Sequence, residues 1–268
     1  MKRVLWCSLL LPLLLLPGAL ARAETALIDD LASPLSIAGE WRFRPGDNPT
    51  WADPTFDDSD WDRVTVPASF PEGHEGHTGI GWYRLSLQFD RGKPELEVEL
   101  GALGIAMGIV QSAYEIYAGG SMLGGVGGLP PEPQVLFDQR RVYRIPPGAI
   151  DAQGRLQLAL RVWRPEHPGP YAYGVWDGPI EVGNIGYLER QEMRRTLLPA
   201  APLVFIYLAV GLYHLFIAWR NPKMRVFAWF GWFSLLLAVY TFESSQWRFH
   251  LELPWIVHKK LELVSLYL

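Results

Sequence analysis

Apolar and polar positions alternate most cleanly where Tyr83, Leu85, Leu87 and Phe89 are separated by Arg84, Ser86 and Gln88. A period of two puts one set of side chains on each face of an extended chain, so this stretch predicts a half-buried strand. Trp41 and Phe43 between Arg42 and Arg44 predict another over residues 40–44, Val64 and Val66 a third over 63–67, and Leu96, Val98 and Leu100 a fourth. Residues 142–145 and 156–162 add two more, and 114–118 runs into Gly119-Gly120, a pair that opens a tight hairpin turn. Gly and Pro punctuate these strands, and nothing between residues 38 and 186 has a helical period. Such spacing predicts an all-β sandwich or jelly roll.

The pattern changes after residue 186. Residues 197–219 contain no Asp, Glu, Lys or Arg, and 226–242 form a second apolar run. At about 1.5 Å per residue, each run approaches or exceeds the roughly 30 Å hydrocarbon core of a bilayer. Two transmembrane helices are therefore predicted, with 188–196 as a charged linker whose helix continues into the first span. Pro199 and Pro202 fall in the first turns, where a missing N–H costs least. Asn221-Pro222 marks a turn at 220–225, and Arg220, Lys223 and Arg225 point that turn to the cytoplasm. Arg190, Arg194 and Arg195 flank the other end in equal number, so charge alone does not orient the pair. Residues 243–258 then form an outer loop, and 259–268 the start of a third helix that ends before it can cross. Trp219, Trp229, Trp232, Trp247 and Trp255 fall near the expected interfaces, as anchoring indoles do. His214, mid-span, reads as a bundle-facing histidine bonded to a neighbouring helix, with a functional role as the other reading.

The N-terminus breaks the tie. Lys2 and Arg3, an apolar core over 4–16, Pro17-Gly18 and Ala21-Arg22-Ala23 make the pattern of a secretory signal peptide over residues 1–23, an uncleaved anchor being the other reading. Either places residues 24–187 outside the cytoplasm, in the periplasm or the extracellular space, with the inner membrane behind them. Of the 268 residues 49% are hydrophobic, and the net charge of −4 carries no nucleic-acid footprint. Loss of Lys2, Arg3 and Arg22 would take that charge from −4 to −7. The single cysteine, Cys7, sits inside the signal, so the mature chain has no disulfide, no thiol nucleophile and no Cys-ligated metal.

Candidate chemistry is confined to loops. Asp53, Asp57, Asp58 and Asp60 crowd residues 51–61; they suit either a turn built on side-chain-to-backbone bonds or a structural calcium, without EF-hand spacing. His74, Glu75 and His77 lie among four glycines, without the spacing of a zinc motif. Of the tryptophans, Trp41, Trp61 and Trp82 are expected inside. Trp51, Trp163 and Trp176 lie in predicted loops beside Pro or Asp. With His74, His77, His167, Tyr171 and Tyr173 they form the candidate ligand-binding set, and residues 164–176 look most like a recognition loop. Tyr171 and Tyr173 also suit a plain cover for one end of the sandwich.

Trp41, then Phe56-Asp57-Asp58-Ser59-Asp60-Trp61, Val64-Thr65-Val66-Pro67 and Gly81-Trp82-Tyr83-Arg84, together resemble the N-terminal sugar-binding-like jelly roll of family 2 glycoside hydrolases. The resemblance covers about residues 35–165 and implies a galactose-binding-like jelly roll. The catalytic carboxylates of that family sit in a separate barrel with no counterpart here, so glycosidase activity does not carry over. A jelly roll, a short linker and membrane helices carrying Leu212-Tyr213-His214-Leu215 and Trp229-Phe230 resemble, over about 190–268, the bacterial seven-transmembrane receptors with diverse intracellular signalling modules. That resemblance implies a carbohydrate or other small ligand outside, a cytoplasmic effector beyond residue 268, and no catalysis and no cofactor in this chain. Two readings stand beside it. One is a membrane-anchored glycan hydrolase drawing two carboxylates from Asp53, Asp57, Asp58, Glu72, Glu75, Asp138, Glu166 and Asp177. The other is an envelope adaptor without a small ligand.

Overall fold

The computed structural model describes residues 27–267 apart from 69–72, 75, 137, 167–173 and 252. The signal-peptide segment 1–23 lies outside the described residues, as do His167, Tyr171, Tyr173, Glu72 and Glu75. Two short pieces come first, β1 (Leu27–Ile28) and β2 (Leu35–Ser36), followed by β3 (Gly39–Pro45), β4 (Asp62–Val66) and β5 (Gly79–Phe89). A helix, α1 (Pro94–Leu100), precedes β6 (Leu103–Met107), β7 (Ile109–Gln111), β8 (Ala113–Ala118) and β9 (Ser121–Val126). β10 (Arg141–Arg144), β11 (Arg155–Arg164), β12 (Gly174–Asp177) and β13 (Glu181–Asn184) complete the β part. Hydrogen bonding orders β4-β3-β5-β11-β8-β9 in one sheet, with β1 parallel to β5, and β10-β6-β13-β2 in a second; β12 pairs with β7.

Alternation makes this a sandwich. Phe43, Leu87, Ile116 and Leu158 of the large sheet meet Leu103, Ile105 and Val182 of the small one in one buried cluster. The opposite face of β5 and β11 builds a second, smaller cluster from Trp61, Trp82 and Ala159. Trp41, Trp61 and Trp82 are all buried, as expected. Each predicted strand is present except one. Leu96 and Leu100 belong to α1, where positions four apart share one helix face and both are buried. The same spacing reads as alternation in a strand; Pro94 at the first helical position decides for the helix. The expected loop at Trp163 is also corrected. β11 continues to Arg164 because the start of β5 supplies partners, Ile80 for Trp163 and Gly79 for Arg164.

The helical part begins without a gap. Asn184 accepts from the Tyr187 N–H at 3.3 Å and starts α2 (Ile185–Glu192). Ile185 and Leu188 are buried against the small sheet, where Gly104 leaves room: a Cβ there would stand 2.7 Å from Ile185 Cδ1. A π-helical turn (Met193–Leu197) then leads into α3 (Ala200–Arg220), which a short turn joins to α4 (Arg225–Glu243). The two lie close because Gly211 and Gly231 face each other; a Cβ on Gly211 would come within 2.7 Å of Leu235 and 3.1 Å of the Gly231 carbonyl. Their outer surfaces are apolar and bare, with Phe205 67%, Trp219 73% and Trp229 75% exposed. His214 Nδ1 meets its own helix's Val210 carbonyl at 2.8 Å rather than a neighbouring helix, and its ring packs on Phe230 of α4. Residues 243–258 are not a plain loop. A 3-10 turn (Gln246–His250) is followed by α5 (Trp255–Tyr267), which starts after Pro254, four residues earlier than read from the sequence.

Candidate functional site

The acidic segment 51–61 folds around a buried cation of the protein's own. Arg84, on β5, is 1% exposed. Its Nε donates to Asp58 Oδ2 at 2.7 Å, and its Nη groups donate to the carbonyls of Trp51, Asp53 (3.1 Å) and Phe56 (3.2 Å). Phe56 and Trp61 stack on the guanidinium at 5.6 and 5.8 Å. The other calcium candidates are spent locally: Asp53 Oδ1 accepts from Thr55, Asp57 from the Ser59 N–H, and Asp60 pairs with Arg44 at 3.0 Å. Bonds from Thr55 hold the Asp53 carboxyl below its ordinary range, and bonds from Ser59 do the same for Asp57. Among the described residues no three His, Cys, Asp or Glu side chains converge as a cation would need.

Alternation also divides the predicted ligand set. Trp51 packs on the outer face of the large sheet, 5.0 Å from Trp61 and 6.3 Å from Trp82, with Arg44 over its ring at 5.7 Å. Much of its stacking surface is thus used inside the protein. Trp163 stands on β11 two positions from Arg161 and shares that outer face. Arg161 holds Asp47 at 2.6 and 2.8 Å and Glu115 at 3.0 Å, and Trp82 Nε1 donates to Asp47 at 3.2 Å. The histidines lie at the inner rim. His74 Nε2 contacts Asp62 Oδ2 at 2.9 Å and sets its ring edge-on to Phe43; His77 Nε2 contacts the Ile80 carbonyl at 2.9 Å. His77, Phe43, Tyr83, Arg164 and Gly174 line a crevice of only about 10 Å³. β5 begins where β11 ends, so Gly79 and Arg164 meet at one end of the sheet, beside His77. The backbone of Trp176 lies on β12, paired with β7.

A further cleft gave no clear sign in the sequence. It encloses about 340 Å³ where the sandwich meets the helices, with Arg140 and Arg141 on one wall, Glu189 and Glu192 on another, and Gln246 and His250 on the third. Buried polar pairs hold that seam. Gln246 donates to the Asp138 carbonyl at 2.6 Å and accepts from the Arg140 N–H at 3.2 Å. Arg248, 1% exposed, binds Asp138, the Glu243 carbonyl and Glu262. His258 meets Glu243 at 2.7 Å, both buried. Burial pushes the Glu192 carboxyl above its ordinary range despite Arg140 and Arg195 nearby. The available sequence signal was the cluster of charges at 138–141 facing polar residues 246–250 in a stretch otherwise read as loop.

No protein-family model matches the sequence, and no curated protein does. Solved structures similar to it include the Bacteroides uniformis β-glucuronidase, at 18% identity and TM-score 0.43 over 56% of this chain and 17% of that one. A glycosyl hydrolase family 2 member from Bacteroides cellulosilyticus (16%, TM-score 0.43, 56% and 20%) and a β-glycosidase from Bacteroides vulgatus (17%, TM-score 0.42, 56% and 20%) are similar to the same degree. In each case the match takes in a fifth or less of the hydrolase. Each likeness spans about half of this chain, and none bears on the receptor resemblance.

Proposed function

We propose that the chain is the sensing and membrane-entry part of a transmembrane receptor. The sandwich lies outside the cell or in the periplasm, α3 and α4 cross the inner membrane, and a cytoplasmic signalling module acts on the far side. One observation carries this reading: α2, docked on the small sheet, passes into α3 with no loop between them, so the sandwich and the apolar hairpin share one rod. A tether that only anchored a domain would need no such rod. Support for the bilayer comes from the two long helices. Ile185–Arg220 and Arg225–Glu243 are apolar enough to span, and their apolar windows are 6% and 22% buried, unlike core helices of a water-soluble fold. The ligand is a small polar molecule, with carbohydrate the first class to try. It would be held at the sandwich end that carries His74 and His77, where β5 begins and β11 ends. A ligand that prefers one orientation of the sandwich over another shifts the helices by that difference in affinity, and chemistry is left to the effector.

Topology and coupling are tested together on the full chain in membranes. A cysteine at Ser121 should react with an impermeant maleimide from outside, and one at Lys223 only after permeabilisation. With a panel of mono- and disaccharides, a binding sugar should change the distance between spin labels on the sandwich and at the far end of α3. Labelling with the opposite sidedness would overturn the reading.

A further inference from the structure

The 340 Å³ seam cleft does not stop at the polar residues. One helical turn along from Leu197, which lines it, Ala201 begins a second hollow of about 150 Å³. Ala201, Val204 and Phe205 of α3 face Phe242 and Trp247 across it, and its surface is apolar throughout. Trp247 stands between the two spaces with its Nε1 donating to the Leu197 carbonyl at 2.9 Å. A charged cleft and a greasy groove on the exposed hairpin thus adjoin across Trp247, at the level where the rod passes from charged to apolar sequence. The charges in the cleft are of both signs. Arg140 is held only loosely, 3.7 Å from Asp177 and 4.0 Å from Glu192, and Arg141 is exposed beside it. Opposite, Glu192 Oε1 is buried and accepts no hydrogen bond from the described residues. An acceptor left so costs stability until a donor reaches it.

We infer that this pair of spaces is a phospholipid site, taking a phosphate against Arg140 and Arg141, a primary ammonium against Glu192, and one acyl chain in the Ala201–Trp247 groove. The ammonium must carry N–H groups, because the unsatisfied Glu192 oxygen needs a donor. That sets phosphatidylethanolamine above phosphatidylcholine, whose quaternary nitrogen donates none, and above phosphatidylglycerol, which brings no cation. The π-helical turn, with Met193, Thr196 and Leu197 on the wall of the cleft, would then be read by the lipid as well as by the sandwich. This site rests on the proposal that α3 and α4 lie in a bilayer.

The test is native mass spectrometry of the full chain released from nanodiscs of mixed phosphatidylethanolamine, phosphatidylcholine and phosphatidylglycerol. Phosphatidylethanolamine should be retained at least about tenfold over the other two. Ala201→Phe, which fills the groove, and Arg141→Glu, on the exposed wall, should each remove that preference; the two act at separate places, so loss of fold in one leaves the other informative. Chain-free glycerophosphoethanolamine should bind at least about tenfold more weakly than the lipid. Equal retention of the three lipids, or an unchanged preference in both variants, overturns the site. Binding of the chain-free compound as tight as the lipid overturns the acyl groove. Failure of the chain to enter nanodiscs at all overturns the membrane reading, and the lipid site with it.

Discussion

Arg84 sits on a strand whose alternation would have placed it in water, yet it is among the most deeply buried side chains. Its guanidinium has five donors, and four acceptors from residues 51–58 fold down onto them. Removing it leaves a half-buried carboxylate and three carbonyls without a partner, so Arg84→Met should cost about 2–4 kcal/mol in urea unfolding. Arg84→Lys should not restore the loss, because one ammonium cannot reproduce the planar fork. The sequence displayed the acids plainly; it did not display their counter-ion, because Arg84 is 26 positions from Asp58 and looks like any polar member of an alternating strand. Asp47 gives a pH signature. Partial burial works against its charge, but bonds from Arg161 and Trp82 outweigh that and hold the carboxyl below its ordinary value of 3.8. The folded pKa is thus lower than the unfolded one. The stability it adds is present above that value and disappears as pH falls through and below it. Urea midpoints measured from pH 6 downward should therefore drop more steeply below about pH 4 in the wild type than in Asp47→Asn.

At the scale of elements, strands with a bulky apolar residue at every second position were legible, because each needs only one buried face to declare itself. The Gly119-Gly120 hairpin was legible for a different reason: both residues have positive φ, +55° and +82°, which glycine adopts without strain. Small strands such as β7 and β13 were hidden, since three or four residues carry no readable period. Leu96 and Leu100 misled because a spacing of four satisfies both strand and helix. The apolar hairpin was visible as two runs, but not what joins them. The Gly211–Gly231 contact is set by the absence of side chains, which hydropathy does not register. Gly211→Leu should push α3 away from α4. Cysteines at His214 and Phe230, whose rings now lie 4.7 Å apart, should then cross-link in markedly lower yield than in the parent pair.

For the whole molecule, the order of parts (strands, charged linker, apolar hairpin) was written in the pattern of the chain, while the seam that unites them was not. Asp138 and Arg248 are 110 residues apart, and no local rule pairs them. The predicted ligand residues were chosen as aromatic and imidazole groups in loops; of those described, Trp51 and Trp163 fall on the outer face of the large sheet and His74 and His77 at its inner rim. Composition cannot foresee that division, because it depends on which face of the sheet each segment packs against.

The π turn between α2 and α3 holds one residue more than an ordinary helix needs, since its Leu198 N–H reaches back five positions to Met193 at 3.1 Å. Two lengths of one screw have been cut with a spare tooth between them. Deleting Arg194 would let the thread run true, keep the helical circular-dichroism signal, and yet turn everything beyond it by about 100° while drawing it up by about 1.5 Å. The bonds from Gln246 and Arg248 to Asp138, which tie the far side of the turn to the sandwich, could not survive that rotation, so a cysteine pair at Asp138 and Gln246 should cross-link in markedly lower yield than in the undeleted chain. That single extra residue thus sets the rotational phase at which the rod leaves the sandwich.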